Sequence, residues 1–100
     1  MADVLVLEFI HPNGAAVDIY DAVNEQLGFD AAVASGQLPE GMISHTAGES
    51  GDRLIVVEVW ESQAHQQAFM ENELAPAFQR AGVPQPTRVE WFGHAGGAAA

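Results

Sequence analysis

One hundred residues, 48% hydrophobic and 17% charged, suit a single folded domain around one core and exclude a disordered polymer. Fourteen acidic residues face three arginines and no lysine, so the formal charge of −11 repels nucleic-acid phosphates and anionic membranes. With no cysteine, disulfides, iron–sulfur clusters and thiol catalysis are excluded, and zinc is left only histidines and carboxylates. The opening MADVLVLEFIHP lacks the basic start and cleavage site of a signal peptide, and no apolar run approaches the ~20 residues of a membrane span. The expectation is a soluble, cytoplasmic protein.

VLVLEFI (4–10) is nearly continuous apolar sequence closed by the turn residues HPNG, which predicts a strand buried on both faces. From Asn13 as N-cap, Ala16, Tyr20, Val23 and Leu27 recur at helical spacing until Gly28 ends the run. Residues 29–41 show no period and read as a loop with room for one helical turn. A strand from Met42, a tight turn at Ser50-Gly51 and a strand over Leu54–Glu61 form a hairpin. Ser62 caps a second helix, with Ala64, Ala68 and Phe69 facing one way, until Pro76 disturbs it; a last turn carries Phe78 to Gly82. RVEWFGH, from Arg88, is a fourth strand, and the low-complexity residues 95–100 are expected to be a flexible tail on a single domain of residues 1–94.

The order strand, helix, strand, strand, helix, strand is the α+β, ferredoxin-like βαββαβ pattern: one four-stranded antiparallel sheet with both helices on one face. Strands one and three are apolar at every position parity, yet the helices cover only one face of the sheet. A second copy of the chain is the simplest cover for the other, which predicts a homodimer.

Counting outward from a Ser50-Gly51 turn pairs His45 with Val56 and Ile43 with Glu58. His45, Val56, Glu58 and Trp60 then share one face, with His45 diagonal to Glu58. Glu58 and His45 are the catalytic candidates: the carboxylate orients the imidazole, which takes a proton from a phenol or other acidic group, beside a flat apolar wall at Trp60. The alternative is that Glu58 and His45 satisfy each other at the sheet edge while Trp60 fills the core. Glu8, in the middle of an apolar strand, needs a partner among Arg53, Arg80 and Arg88 or an outlet to water at a dimer cavity, and reads as a structural ion pair rather than as an acid catalyst. His65 sits near the third position of the second helix as a surface residue, His11 and His94 lie at strand ends, and the four histidines match no local metal motif. No metal or other cofactor is expected.

The strand ending in VWES and running directly into a helix, after PEG and a Ser-Gly hairpin, resembles the dimeric α/β-barrel superfamily and, within it, the antibiotic-biosynthesis monooxygenase (ABM) domains. The resemblance spans residues 3–94 in element order. It implies two ferredoxin-like chains packed sheet against sheet, each with a pocket between its own sheet and helices, in a superfamily of cofactor-independent oxygenases of aromatic polyketides, haem-degrading oxygenases and proteins of no known activity. Trp60 matches the quinone-forming oxygenases, and gap-free counting puts their pocket arginine on Arg80; their strand asparagine falls on Val56 and their helix tyrosine on Gln66. The haem-degrading branch fits worse, with its helix tryptophan on Phe69, its proximal histidine on Gln79 and its first-strand asparagine on Leu7.

Trp60, Arg80, Tyr20 and Phe69 are therefore the substrate-binding candidates. The resemblance implies a cofactor-free monooxygenase acting on a small aromatic or polyketide-like ligand. Two other readings stand beside it: a non-catalytic ligand-binding or structural dimer, and an isomerase or cyclase using His45.

Overall fold

The computed structural model describes residues 2–11, 14–28 and 38–96. Its elements are β1 (Asp3–Ile10), α1 (Val17–Leu27), β2 (Met42–Ser50), β3 (Arg53–Trp60), α2 (Gln63–Phe69), a π-helical turn (Met70–Leu74), α3 (Ala75–Ala81) and β4 (Arg88–Gly93). The sheet order is β2-β3-β1-β4 with every neighbour antiparallel, so α1 crosses over β3 and the second helical run crosses over β1. This is the expected α+β, ferredoxin-like architecture, with helices on one face.

Alternation along the strands sorts the core. Leu5, Leu7 and Phe9 of β1 and Leu54, Val56 and Trp60 of β3 are buried toward the helices, where Ile19 and Val23 of α1 and Leu74 and Ala77 of the second run meet them. Each large side chain so buried contributes roughly 1.5–3 kcal/mol. β1 is less symmetrical than expected: on the other face Val4 and Glu8 are buried, Val6 is half-buried and Ile10 is 39% exposed.

Several local details differ from the sequence-based expectation. The Asn13 cap, most of the 29–41 loop and the end of the tail lie outside the described residues. α1 starts at Val17 with Ala16 at its N-cap, and the Glu49 carboxylate of β2 accepts from the Val17 N–H at 3.3 Å, so a side chain from another element fills the capping role. The hairpin turn is Gly51-Asp52, because Gly51 takes the first turn position at φ +63°, where glycine is favoured, and Ser50 pairs with Arg53. Ser62 caps α2 as expected, its hydroxyl accepting from the His65 N–H at 3.3 Å. The cap's phase, however, turns Ala64 and Ala68 outward and buries Gln66.

Pro76 does not end the second helix, which runs from Gln63 to Ala81 as one rod. Proline has no N–H and its ring collides with the carbonyl four residues back. The rod accommodates this by widening into the π-helical turn just before it, where the Ala75 N–H reaches the Met70 carbonyl. At Gly41 a Cβ would lie 2.3 Å from His65 Cγ, and φ is +83°, so the chain enters β2 through a position that only glycine fills without displacement.

Arg53 Nη1 donates to Glu8 Oε1 at 2.7 Å and Arg88 Nη1 donates to Glu8 Oε2 at 2.6 Å, while Arg88 also pairs with Glu90. This ion-pair chain crosses β3, β1 and β4 on the helix-free face and resolves the buried carboxylate structurally. The Arg88 bond, supported by Arg53, holds the Glu8 carboxyl below the usual carboxylate range against the opposing effect of burial. A value depressed in the folded state stabilises the fold above the unfolded carboxylate range and loses that contribution as pH falls through the folded value. Thermal melts of wild type and Glu8→Gln from pH 7 to pH 2 test this. The wild type's advantage is expected to shrink steadily toward low pH, and a constant offset would contradict it.

Candidate functional site

The site is assembled by three elements that each deliver one polar side chain to the helix-covered face. On β3, Glu58 and Trp60 are two residues apart and therefore point the same way, into the core at 5% and 0% exposure. The β2–β3 register places His45 directly opposite Glu58 rather than diagonal to it. A bulge at Ile43 then throws that side chain outward, 53% exposed, and lets Met42 join the core opposite Trp60. α1 lays Tyr20 over His45, with ring centroids 5.7 Å apart and planes 19° from parallel.

These groups form one chain of hydrogen bonds. Trp60 Nε1–H donates to Glu58 Oε1 at 3.0 Å, His45 Nδ1 lies 3.0 Å from Glu58 Oε2, and His45 Nε2 lies 3.2 Å from the Tyr20 hydroxyl. An ionised carboxylate only accepts, so a neutral His45 carries its proton on Nδ1 and its Nε2 accepts from Tyr20. The order hydroxyl, imidazole, carboxylate is the arrangement in which a base is oriented from behind and a proton moves at the front.

One cavity adjoins this chain, and a second lies beyond it. The first, with a volume of about 50 Å³, is bordered by Tyr20, Asn24, His45, Glu58 and Phe69 and has room for a few waters. The second is a cleft of about 490 Å³ between the second helical run and the β1–β4 edge, bordered by Gln66, Gln79, Gln85 and Trp91. That volume lies within the ~300–1,000 Å³ range of ligand pockets. Leu7 and Phe78 border both.

Of the candidates read from sequence, His45, Glu58, Tyr20 and Phe69 converge on the small cavity. Trp60 lies behind it, wholly buried against Phe69 at a centroid distance of 5.8 Å, and acts on the cavity through Glu58 rather than as its wall. Arg80 borders neither cavity: it is exposed, and its Nε donates to Gln26 Oε1 at 2.9 Å, tying α3 to α1. His65 closes a local ring with Ser62, Nδ1 to Oγ at 2.7 Å. Among the described residues no three His, Asp or Glu side chains converge.

Asn24 escaped the sequence reading, and Gln66 entered it only as the position of a missing tyrosine. Asn24 and Gln66 are only 7% and 8% exposed, and neither side chain makes a hydrogen bond among the described residues. Asn24 borders the small cavity and Gln66 the cleft. The available signal was a polar residue on an apolar helix face: Asn24 lies one turn after Tyr20.

No protein-family model and no curated protein matches the sequence. Solved structures do. The cofactor-independent oxygenase SnoaB of Streptomyces nogalater, in an asparagine-to-alanine variant, superposes with a TM-score of 0.66 at 15% identity, covering 96% of this chain and 95% of that one. This chain shares that oxygenase's fold. The ActVA-Orf6 monooxygenase of Streptomyces coelicolor, in complex with nanaomycin D, gives 0.65 at 16% identity over 99% of this chain and 92% of its own. A protein of unknown function from Nitrosomonas europaea gives 0.70 at 14% identity over 99% and 94%. The fold is thus shared by oxygenases and by proteins without an assigned reaction.

Glu58→Ala would leave a buried indole N–H and the His45 Nδ1–H without acceptors, a loss of about 3 kcal/mol. Glu58→Gln keeps one acceptor oxygen and should cost less than half as much. Urea unfolding of the two variants checks the order, and equal losses would mean that the carboxylate does not hold both donors.

Proposed function

We propose that this ABM-fold chain is a cofactor-independent monooxygenase of a small aromatic substrate, with Tyr20, His45 and Glu58 as its proton-transfer machinery. The observation that supports the reading is the unbroken hydroxyl–imidazole–carboxylate chain facing a cavity that the Asn24 amide also borders.

In this mechanism the substrate presents an acidic ring CH₂ or hydroxyl to the Tyr20 end. A proton passes through the Tyr20 hydroxyl to His45 Nε2, and Glu58 stabilises the imidazolium without moving. The Asn24 amide is placed to donate to the oxygen on which negative charge develops. The electron-rich anion then reduces dioxygen: one oxygen atom becomes the new carbonyl, and the other leaves as water with the two hydrogens lost from the CH₂. The substrate supplies all four electrons that dioxygen takes up, which is why no cofactor is invoked.

The helix-free face completes the proposal. Ile10 and Phe92 are 39% and 49% exposed there, beside Val6, Ile55, Val57 and Val59. That apolar field suits a second copy packed sheet on sheet, as a homodimer. Light scattering coupled to size exclusion is expected to give twice the 10.6 kDa chain mass, and a monomer at all concentrations would refute this part.

Oxygen uptake with anthrone tests the chemistry. Wild type is expected to consume one O₂ per anthraquinone formed, and His45→Gln should lower kcat by roughly 10²–10⁴-fold. Val56 and Gln66 stand where the resemblance places a polar asparagine and tyrosine, and this favours a second reading, a non-catalytic ligand-binding dimer. Saturable ligand binding without any acceleration of oxygen uptake would select it.

A further inference from the structure

We propose that Tyr20 is a hydrogen-atom donor: an uncharged organic peroxyl radical at the small cavity takes an electron from its ring while its hydroxyl proton passes to His45. The inference rests on the hydrogen bonds of the site and not on the oxygenation proposed above, since it needs neither that substrate nor its turnover.

Geometry supports the donor. A phenol gives up an electron readily only when a positioned base takes its proton in the same step, because the oxidised phenol is a strong acid. His45 Nε2 lies 3.2 Å from the Tyr20 hydroxyl. Glu58, 3.0 Å from His45 Nδ1, fixes the tautomer that leaves Nε2 as acceptor and stabilises the imidazolium once it forms. The two rings are 19° from parallel with centroids 5.7 Å apart, so the proton has a short path that needs no side-chain rotation. Trp60 is the other readily oxidised ring in this network. It is wholly buried behind Glu58, and its N–H faces a carboxylate, a weaker base than imidazole.

Chemistry fixes the oxidant and the balance of the step. The cavity has room for a few waters, which suits an O–O group, and apart from Tyr20, Asn24, His45 and Glu58 its lining is apolar. Tyr20 and His45 are half-buried, which leaves the organic remainder a way out to solvent. An anionic oxidant would meet Glu58 in the cavity wall and a net charge of −11 on the approach. In the step the peroxyl oxygen gains one electron and Tyr20 loses one, while the Tyr20 O–H bond breaks and an N–H bond forms on His45 Nε2. The imidazolium then returns that proton to the peroxide anion. The products are a hydroperoxide, a neutral His45 and a neutral tyrosyl radical, so one hydrogen atom has moved in total.

Tyr20 is the only tyrosine in the sequence, so a tyrosyl signal is assigned without labelling. The test photolyses an uncharged azo initiator, which yields peroxyl radicals in oxygenated solution, beside the intact protein, and follows the protein radical by transient absorption and freeze-quench EPR. A tyrosyl spectrum is expected, absent in Tyr20→Phe and formed at least about tenfold faster than from N-acetyltyrosinamide. His45→Gln keeps an acceptor for the hydroxyl but no base, and should slow formation at least about tenfold. Heavy water should slow the wild type, a readout that needs no variant to fold. An initiator carrying a carboxylate should react at least about tenfold more slowly at low ionic strength. The donor assignment would be overturned by a mainly tryptophanyl signal, by a wild-type rate no greater than that of the free amide or unaffected by heavy water, or by an unchanged rate in His45→Gln shown by circular dichroism to be folded. Equal rates with the anionic radical would overturn the class of oxidant. None of these readouts involves anthrone, so failure of the oxygenation reading is seen separately.

Discussion

The site depends on one buried carboxylate. Glu58 points from β3 into the core, and each of its oxygens is held by a side-chain donor, one from Trp60 and one from His45. Both bonds are to side chains that only the sheet can bring there: Trp60 is two residues along the same strand, and His45 is its partner across the hairpin. Removing the carboxylate would free the imidazole to choose its tautomer and orphan the indole, so positioning and stability are carried by the same group.

Glu8 shows the contrasting solution. It is as buried as Glu58 but lies on the opposite face of the sheet, and two arginines neutralise it. Those two are most of the cationic charge in a chain with three arginines and no lysine, and the third, Arg80, is engaged by Gln26 at the surface. Glu58 is thereby left to His45 and Trp60. A carboxylate paired to guanidinium is chemically quiet; one held by an imidazole and an indole remains coupled to a group that can exchange a proton.

The element order, the Ser62 cap and the grouping of His45, Glu58 and Trp60 were legible in the sequence. That grouping survived an error in the hairpin: placing the turn one residue early moves the pairing by two, and with a period of two the faces are unchanged. What the error obscured was that His45 and Glu58 oppose each other directly. Tyr20 was legible as a helix residue but not as the partner of His45, because the contact spans a connection whose path strand alternation does not constrain. Gap-free counting put Arg80 in the pocket; the structure has it exposed and bonded to Gln26, away from both cavities. Asn24, Gln66 and the shared wall at Phe78 are properties of packing between elements, and no spacing within one element encodes them.

If Glu58 organises the site as argued, its clearest consequence is the protonation pattern of a single imidazole. Long-range ¹H–¹⁵N correlation spectra of the His45 ring, recorded where the ring is neutral, read this directly. The account predicts a protonated Nδ1 facing Glu58 and an unprotonated Nε2 facing Tyr20, with the preference lost in Glu58→Leu. A ring protonated on Nε2 in the wild type, or a pattern indifferent to Glu58, would contradict it.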